Sequence, residues 1–174
     1  LQLRLSEFIS RYKLGIGGAV IEPKEVEVYY YKDGEFEDNS VHRNELQAMN
    51  PNRFYVHRMG VSRQDKYKGW NYAGVDLVVS NQSGVYYSYL IRSAVVDNNL
   101  VVGPNKVLNA ILVASKLTKE EMENRPVDMI ACDRRHDVLF SKRINLGVKV
   151  KDEFRFCKLR AVVCDEYFGT AKYP

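Results

Sequence analysis

Residues 19–31 constrain the fold more than any other part of the chain. They are rich in β-branched and aromatic residues, and their side chains alternate between two faces of an extended backbone. Valines and Tyr30 occupy one face. The opposite face carries Glu25, Glu27, Tyr29 and Tyr31. This pattern predicts one long strand, or two strands separated at Pro23, so the fold must contain a β-sheet.

Further strand patterns follow along the chain. Residues 73–80 and 84–96 are separated by only three residues, which predicts an antiparallel hairpin. Shorter strands are predicted in four other places. These are residues 53–57, 127–131, 144–150 and 154–163.

Apolar spacing and end signals predict three helices. The first covers residues 1–12 and ends near the glycines of residues 15–18. The second covers residues 106–116, with Pro104 in its first turn. The third begins with the sequence of a capping box and is closed by a proline. Its signals are Thr118, Glu121 and Pro126.

The order of these elements predicts the fold class. Residues 32–52 are polar and rich in turn formers, which predicts a loop with one short helical turn. Strands and helices mix without regular βαβ alternation, so we expect an α+β fold around a largely antiparallel sheet. The 174 residues suit a single domain that spans residues 1–174.

The positive charge is concentrated in one window. The chain has 26 Lys and Arg against 22 Asp and Glu, a net charge of +4, and residues 53–72 alone carry five basic residues and one acidic residue. Aromatic residues are interleaved with these charges, as in a nucleic-acid groove, although a solvated hairpin with its rings folded back fits equally well. The candidate DNA-binding residues are Arg58, Arg63, Lys66, Tyr67, Lys68, Trp70 and Tyr72. Residues 22–38 have seven acidic and two basic residues and must lie away from phosphates.

Three charged residues within strand patterns raise the question of function. Glu27 is flanked by valines, and the commoner fate of such a residue is a solvent-facing position paired with Lys or Arg. The functional alternative is a partly desolvated carboxylate basic enough to take a proton from water. Arg92 shares a strand face with apolar residues and needs an anion, which is either a structural carboxylate or a ligand. Asp76 raises the same question.

Several site classes find no support in the sequence. No apolar run is long enough to span a bilayer, and the first residues lack the apolar centre of a secretory signal. The three cysteines, Cys132, Cys157 and Cys164, are not spaced as zinc ligands, and we expect them to be reduced, mostly packed and cytoplasmic. The sequence contains no recognisable phosphate-binding glycine loop and no recognisable Ser-His-Asp triad. We therefore expect no metal and no cofactor.

Five segments together carry a family resemblance through their order. They are Glu25-Val26-Glu27-Val28-Tyr29 followed by His42, Phe54-Tyr55-Val56-His57, Tyr89-Leu90-Ile91-Arg92-Ser93-Ala94, Gly103-Pro104-Asn105-Lys106-Val107-Leu108, and Arg143-Ile144-Asn145-Leu146-Gly147 with Phe154-Arg155-Phe156. In this order the chain resembles the alkyladenine (methylpurine) DNA glycosylases, which excise damaged purines from duplex DNA. The resemblance spans roughly residues 14–163.

The resemblance implies roles for individual residues. Glu27 corresponds to the catalytic base, and Arg92 to the residue that helps hold the attacking water. The pocket for a flipped base would be formed by Tyr29, His42, His57 and Asp76. Within that pocket His57 stands where the family carries a stacking Tyr, and Asp76 stands where an Asn is usual. A curved sheet and a protruding β-hairpin that wedges into the minor groove are also implied.

Three function classes are consistent with the sequence. The leading hypothesis is a monofunctional DNA glycosylase that acts on an alkylated or deaminated purine, with double-stranded DNA as its partner, no membrane association and a monomeric state. The first alternative is a nucleic-acid or nucleotide binding module without catalytic activity. The second is an enzyme that acts on a free nucleoside. Such a substrate lacks the phosphates of DNA, so the acidic Asp76 and Glu25 would not repel it.

Overall fold

The structure is a computed structural model that describes residues 1–57, 73–132 and 136–164. Within these residues the chain forms ten strands, four α-helices and one 3-10 helix. The strands are β1 (Tyr12–Ile16), β2 (Ala19–Lys32), β3 (Phe36–Glu37), β4 (Phe54–His57), β5 (Gly74–Val78), β6 (Val85–Val96), β7 (Asn99–Val102), β8 (Asp128–Ala131), β9 (Val138–Ser141) and β10 (Arg160–Val163). The helices are α1 (Gln2–Arg11), α2 (Pro104–Ser115), α3 (Lys119–Asn124) and α4 (Asp152–Arg155), and the 3-10 helix covers Glu45–Gln47.

All described strand pairs are antiparallel and belong to one curved sheet. Its main order is β4-β5-β6-β2-β1-β8, and β10 joins β2 to β9. The long β2 is central, because it pairs with β1, β3, β6 and β10 at successive points along its length. The predicted α+β class with a curved, largely antiparallel sheet is therefore confirmed.

One face of this sheet is apolar and forms the core. The valines of β2 point to this face together with Tyr87, Tyr89 and Ile91 of β6, and α1 and α2 cover them with their own apolar side chains. The helical contributors are Leu5, Phe8, Ile9, Val107, Leu108 and Ile111, all buried. Removal of this apolar surface from water is the main force that holds the two helices on the sheet.

The opposite face of the sheet is polar, although it too is largely buried. The pairing register aligns Tyr55, Asp76, Leu90 and Glu27 in one row across four adjacent strands. Loop residues rather than helices cover this row. The contacts come from the loop of residues 38–48 and from the segment that begins at Arg143.

Several sequence predictions are confirmed. The helix at the start of the chain, the β5–β6 hairpin and the helix after Pro104 are all present. Thr118 and Glu121 form the reciprocal hydrogen bonds of a capping box at the start of α3. The single helical turn expected between residues 32 and 52 is the 3-10 helix.

Predictions for residues 144–163 are wrong over most of that range. Residues 144–150 are not a strand, since Asn145 has a left-handed backbone (φ 60°) and the Val150 N–H bonds to the Gly147 carbonyl. Residues 154–163 were expected to be one strand, but α4 occupies the first part and only Arg160–Val163 is extended. In both stretches the alternating pattern is overridden by contacts with the rest of the protein.

Short strands were also missed. The strand β1 lies where the first helix was expected to run into a glycine-rich end, and β7 and β9 have only four residues each. A strand of four or five residues shows too few alternations to be distinguished from a loop. The protruding hairpin remains a prediction, because β4 and β5 pair with each other but residues 58–72 lie outside the described residues.

The turn between β1 and β2 provides a test of this packing. Gly17 and Gly18 both have positive φ, but a Cβ on Gly17 would lie 2.9 Å from the Ser115 carbonyl oxygen, whereas a Cβ on Gly18 would meet nothing within 4 Å. We expect Gly18→Ala to lower the free energy of unfolding by about 1 kcal/mol through backbone strain alone. Gly17→Ala should lower it clearly further, because the end of α2 must also move. Equal midpoints for the two variants in urea unfolding would contradict this account of the turn.

Candidate active site

Four charged side chains lie buried on the polar face of the sheet. Glu25 and Glu27 have no exposed surface, Asp76 is 1 % exposed and Arg92 is 6 % exposed. The interpretation of Glu27 as a solvent-facing residue, which the sequence favoured, is therefore wrong. The cause is the cover supplied by the loop segments, which strand alternation alone does not reveal.

The Glu27 carboxylate accepts three hydrogen bonds. Its Oε1 accepts from the Ile144 N–H at 2.8 Å, and its Oε2 accepts from the Arg92 guanidinium at 3.3 Å and from the Tyr29 hydroxyl at 3.2 Å. Burial raises the pKa of Glu27 above its ordinary value of 4.5, against the opposing effects of Arg92, the Ile144 N–H and Arg143. The result is a carboxylate that is more basic than one in water and is fixed in orientation.

Arg92 reaches Glu27 because the sheet is irregular at this point. The β2–β6 register shifts between Pro23 and Glu25 and shifts back between Glu25 and Val26, which leaves Arg92 without a directly opposite residue on β2. Bulges of this kind redirect side chains next to functional sites. Of the two alternatives predicted for residues 19–31, the single long strand is confirmed, since β2 runs continuously past Pro23 and through the irregularity.

Arg92 is shared between two carboxylates. Its Nε lies 3.3 Å from Glu25 Oε1, and its terminal nitrogen lies 3.3 Å from Glu27 Oε2. Glu25 is held in turn by Arg160 at 2.7 Å and by the Ser93 hydroxyl at 2.9 Å. The Arg92 carbonyl accepts a hydrogen bond from the Gly103 N–H at 2.8 Å, so the start of α2 also fixes this strand position.

Asp76 is the centre of a second cluster on the same face. Its Oδ1 lies 2.7 Å from His57 Nε2, and its Oδ2 accepts from the Ser88 hydroxyl at 2.9 Å and from the Gln47 amide at 3.3 Å. The two positions where the sequence departs from the glycosylase pattern, His57 and Asp76, thus contact each other directly.

Three rings stand beside this carboxylate. The His42 and His57 rings have centres 4.7 Å apart, and Tyr55 lies 5.2 Å from His57 and 6.1 Å from His42 in edge-on arrangements. His42 Nδ1 and the Tyr55 hydroxyl are 3.2 Å apart. His42 and His57 are partly exposed while Tyr55 is fully buried, so the two imidazoles form the accessible edge of the cluster.

Tyr29 belongs to the Glu27 cluster. Its hydroxyl bonds to Glu27, and its ring lies under the Arg143 guanidinium, whose carbon is 4.9 Å from the ring centre. Burial raises the pKa of Tyr29 well above its ordinary value, and the negative charges of Glu27 and Asp76 act in the same direction. Tyr29 therefore stays a neutral hydroxyl that donates to Glu27.

Arg143 anchors the segment that covers the site. It is buried and lies 2.7 Å from Asp38 Oδ2, and it donates hydrogen bonds to the carbonyls of Val28 and Phe154. These contacts tie the cover both to β2 and to α4. They also place the neighbouring Ile144 N–H against Glu27.

The structure brings together six of the residues singled out from the sequence and leaves seven outside its description. Glu27, Arg92 and Tyr29 form one cluster, and His42, His57 and Asp76 form the adjacent one. The remaining seven lie outside the described residues. They are Arg58, Arg63, Lys66, Tyr67, Lys68, Trp70 and Tyr72.

Some residues of the site were missed by sequence reasoning. Gln47 and Ser88 orient Asp76, and Tyr55 supports His42, but none of these polar residues carries a pattern of its own. Alternation along β6 places Ser88 on the same face as Leu90 and Arg92. Ser88 could therefore have been predicted as a site residue from the sequence. The contribution of Ile144 comes from its backbone and is invisible in sequence.

The described residues offer few alternatives to this site. Among them, no group of three or more His, Cys, Asp or Glu side chains is arranged to hold a metal ion. The three cysteines are not joined in disulfides; all are half-buried, and Cys157 packs against the core. Across the described ranges, none of the helices has the length and apolar character to cross a membrane.

Comparison with known proteins adds no family assignment. No protein-family model matches the chain, and no curated protein matches it. The resemblance to the alkyladenine glycosylases therefore depends on the order of the motifs in the sequence.

The arrangement has a definite chemical capacity. A buried carboxylate with a raised pKa can accept a proton from water, and a guanidinium beside it can hold that water in place. The neutral Tyr29 hydroxyl and the two imidazoles provide aromatic surfaces and hydrogen-bonding groups at the edge of the same face.

Glu27 should reduce the stability of the fold as the pH rises. Since its pKa is raised on folding, the folded protein retains this proton to higher pH than the unfolded chain, and stability falls as pH rises from about 4.5 through the raised value. Removing the charge in Glu27→Gln removes this loss. We expect the difference in stability between the variant and the native protein to shift in favour of the variant as the pH rises across that window, as measured by urea unfolding at several pH values.

Glu22 provides a control of opposite sign on the same strand. Burial raises its pKa, but hydrogen bonds from Lys13 and Lys24 outweigh burial and bring the pKa to about 2. Glu22→Gln should therefore lose stability relative to the native protein above pH 4.5, with the difference vanishing as the pH falls towards 2. If both variants shift in the same direction with pH, the assignment of Glu27 as an unfavourably buried carboxylate is wrong.

Proposed function

We propose that the protein is a monofunctional DNA glycosylase that hydrolyses the N-glycosidic bond of a flipped-out alkylated or deaminated purine in duplex DNA. The observation that carries the proposal is the fully buried Glu27 carboxylate, held by Arg92, Tyr29 and the Ile144 N–H at one end of a row that leads to ring side chains. The order of family motifs in the sequence supports the same function.

Glu27 acts as the general base. Hydrolysis of an N-glycosidic bond proceeds through a sugar with positive charge at its anomeric carbon, and a carboxylate beside that carbon both stabilises the charge and deprotonates the attacking water. Burial raises the pKa of Glu27 and so makes it more basic than a carboxylate in water, while the charge of Arg92 opposes that rise. A guanidinium such as that of Arg92 is also suited to holding a polarised water.

The ring residues bind the flipped base. A purine removed from the stack loses a few kcal/mol of stacking and pairing, and aromatic faces in the protein recover part of this loss. Tyr29 lies at the Glu27 end of the row, and His42 and His57 lie at the Asp76 end. Three strand spacings separate Glu27 from Tyr55 along the sheet, about 14 Å, so the two clusters stand at opposite ends of one row.

Duplex DNA is favoured over a free nucleoside by the charge distribution. The window of residues 53–72 carries the whole net positive charge of the chain and begins at β4, the strand that also supplies His57 to the site. Phosphate contacts from such a window would place a duplex against the edge of the pocket. An unpaired Glu25 carboxylate would repel phosphates, but its charge is neutralised by Arg92 and Arg160.

A binding module without catalytic activity is the second candidate. Both Glu27 oxygens already accept hydrogen bonds from the protein, as the oxygens of a purely structural carboxylate would. In that case the clusters would recognise a base or nucleotide without cleaving it. Single-turnover kinetics separates the two candidates.

The first test measures release of free base from duplex oligonucleotides that contain hypoxanthine, ethenoadenine or a methylated purine. We expect the native protein to release at least one of these bases, and Glu27→Gln to be slower by about 10²-fold or more, because the general base is lost. The matched control is Glu22→Gln, which removes a carboxylate from the same strand and should retain the native rate. Equal rates for native protein and Glu27→Gln would exclude Glu27 as the base.

The partner is tested separately by the salt dependence of duplex binding. Five or more phosphate contacts would make the affinity for a lesion-containing duplex fall by orders of magnitude between about 50 and 200 mM salt. Binding of the corresponding free nucleoside should change little over the same range. An affinity for duplex that is insensitive to salt would contradict DNA as the partner and favour the nucleoside alternative.

A further inference from the structure

Within the described residues, Glu27 has no exposed surface, so its carboxylate is closed to water and to a substrate. A general base must come within hydrogen-bond reach of the proton it takes, so this cover has to open before the proposed reaction. Resting on the proposed glycosylase function, we propose that residues 144–151 form a strap that lifts away from Glu27 to admit the everted nucleotide, and that Asn39 is the catch of this strap. The strap touches the carboxylate directly, through the Ile144 N–H at 2.8 Å.

The strap is fixed firmly at its two ends. Before it, Arg143 is buried, lies 2.7 Å from Asp38 Oδ2 and donates to the Val28 carbonyl at 3.1 Å. After it, Phe154 is buried, and its ring packs on Phe36 with ring centres 4.8 Å apart. The Arg143 guanidinium also donates to the Phe154 carbonyl at 3.0 Å. The two ends are thus joined to each other, and the residues between them can move without unfolding the sheet.

Between these ends the strap is anchored weakly. Every side chain of residues 144–151 is half-buried or exposed, and Val148 is 87 % exposed. A segment with so few buried apolar contacts opens locally at a small free-energy cost. The strap contains a turn of its own, in which Asn145 has a left-handed backbone (φ 60°) and the Val150 N–H bonds to the Gly147 carbonyl. A turn that is closed on itself in this way can move as a unit.

Asn39 joins the strap to the facing loop. Its Nδ2 donates to the Lys149 carbonyl at 2.8 Å, and its Oδ1 accepts from the Lys151 N–H at 3.2 Å. Asn39 is exposed, so water competes for both hydrogen bonds. Hydrogen bonds of this kind contribute little net stability each, which suits a contact that has to open. The neighbouring Asp38 holds Arg143, so the catch and the firm anchor belong to the same loop.

Opening would release one oxygen of Glu27 and leave the other in place. The Ile144 N–H of the strap bonds to Oε1, whereas Oε2 is held by Arg92 and Tyr29, which belong to sheet strands. Once the strap lifts, Oε1 can accept a proton from water while the carboxylate keeps its orientation. A nucleotide that reaches Glu27 only in the open form shifts the equilibrium towards opening by its difference in affinity.

Hydrogen exchange tests the opening without any substrate. We expect the Ile144 amide, which is hydrogen-bonded in the closed form, to exchange by local opening at least about 10²-fold faster than the Val26 and Val28 amides of β2. The measurement is residue-resolved exchange by NMR in the absence of denaturant. Exchange of Ile144 as slow as that of β2 would show that the strap opens only with global unfolding, and would overturn the proposal.

Asn39→Ala should loosen the strap. Loss of both catch bonds should speed exchange at Ile144 by about 5-fold and leave the β2 amides unchanged, which also shows that the variant is folded. The matched control is Asn99→Ala. Asn99 is an exposed residue whose amide donates to the Asp97 carbonyl at 3.1 Å between β6 and β7, and its loss should leave Ile144 exchange at the native rate. Equal exchange at Ile144 in Asn39→Ala and the native protein would exclude Asn39 as the catch.

Single-turnover release of the base tests what the opening does. Apparent affinity rises with the fraction of protein in the binding-competent form. Asn39→Ala should therefore speed release at subsaturating protein by a factor of up to about 5, and the rate at saturating protein should not fall. A lower saturating rate would mean that the closed form, with Ile144 on Glu27, is the reactive one, and would contradict the strap as an entrance.

The two kinds of measurement separate the strap from the glycosylase function. Release of a lesion by a native protein whose Ile144 amide is as protected as β2 would contradict the strap and leave the function intact. Fast exchange at Ile144 that Asn39→Ala accelerates, with no release of any lesion by the folded native protein, would establish the opening but contradict the proposed function and the nucleotide as the admitted ligand.

Discussion

Arg92 lies between two carboxylates that have no contact with solvent, and the polar face of the sheet depends on this shared cation. Glu25 and Glu27 would repel each other strongly if both were ionised without it. Burial of unpaired charge is so unfavourable that removing one partner of such a group costs about 3–5 kcal/mol. The network therefore has to form as a unit, with Arg160 completing it on the side of Glu25.

The rest of the site follows from how this unit is positioned. The double register shift in the β2–β6 pair presents Arg92 to both glutamates, and Gly103 at the start of α2 holds its carbonyl. The covering segment is then fixed by Arg143, which brings the Ile144 N–H to Glu27. Burial of apolar side chains on one face stabilises the fold and offsets the cost of burying charged side chains on the other. The residues that stabilise the fold and the residues of the candidate site therefore lie on opposite faces of the sheet.

The fold class was predicted from physical patterns in the sequence, whereas the roles of the six inner residues of the site were implied by the family resemblance. Long strands and helices such as β2 and α2 were visible because their side-chain periodicity extends over ten or more residues. The segment of residues 144–150 also alternates, yet it is irregular, because Ile144 and Arg143 make side-chain and backbone contacts that no local pattern encodes. Burial of Glu27 could not be predicted for the same reason, since its cover comes from residues more than a hundred positions away.

The relation between His57 and Asp76 was equally hidden in the sequence. Each residue stood out alone as a departure from the glycosylase pattern, and only the β4–β5 pairing shows that the two side chains touch. A paired change of this kind is what a reshaped pocket would require, because an Asp without the His would leave a buried anion with less compensation.

The central claim is that the polar face of the sheet holds a purine nucleoside with its sugar at Glu27. The most direct measurement is a crystal structure of the Glu27→Gln variant bound to a duplex that contains ethenoadenine. The account predicts an everted nucleotide with its base among Tyr29, His42 and His57 and its anomeric carbon beside the substituted side chain. A duplex bound with the lesion still stacked, or bound on another surface of the protein, would contradict it.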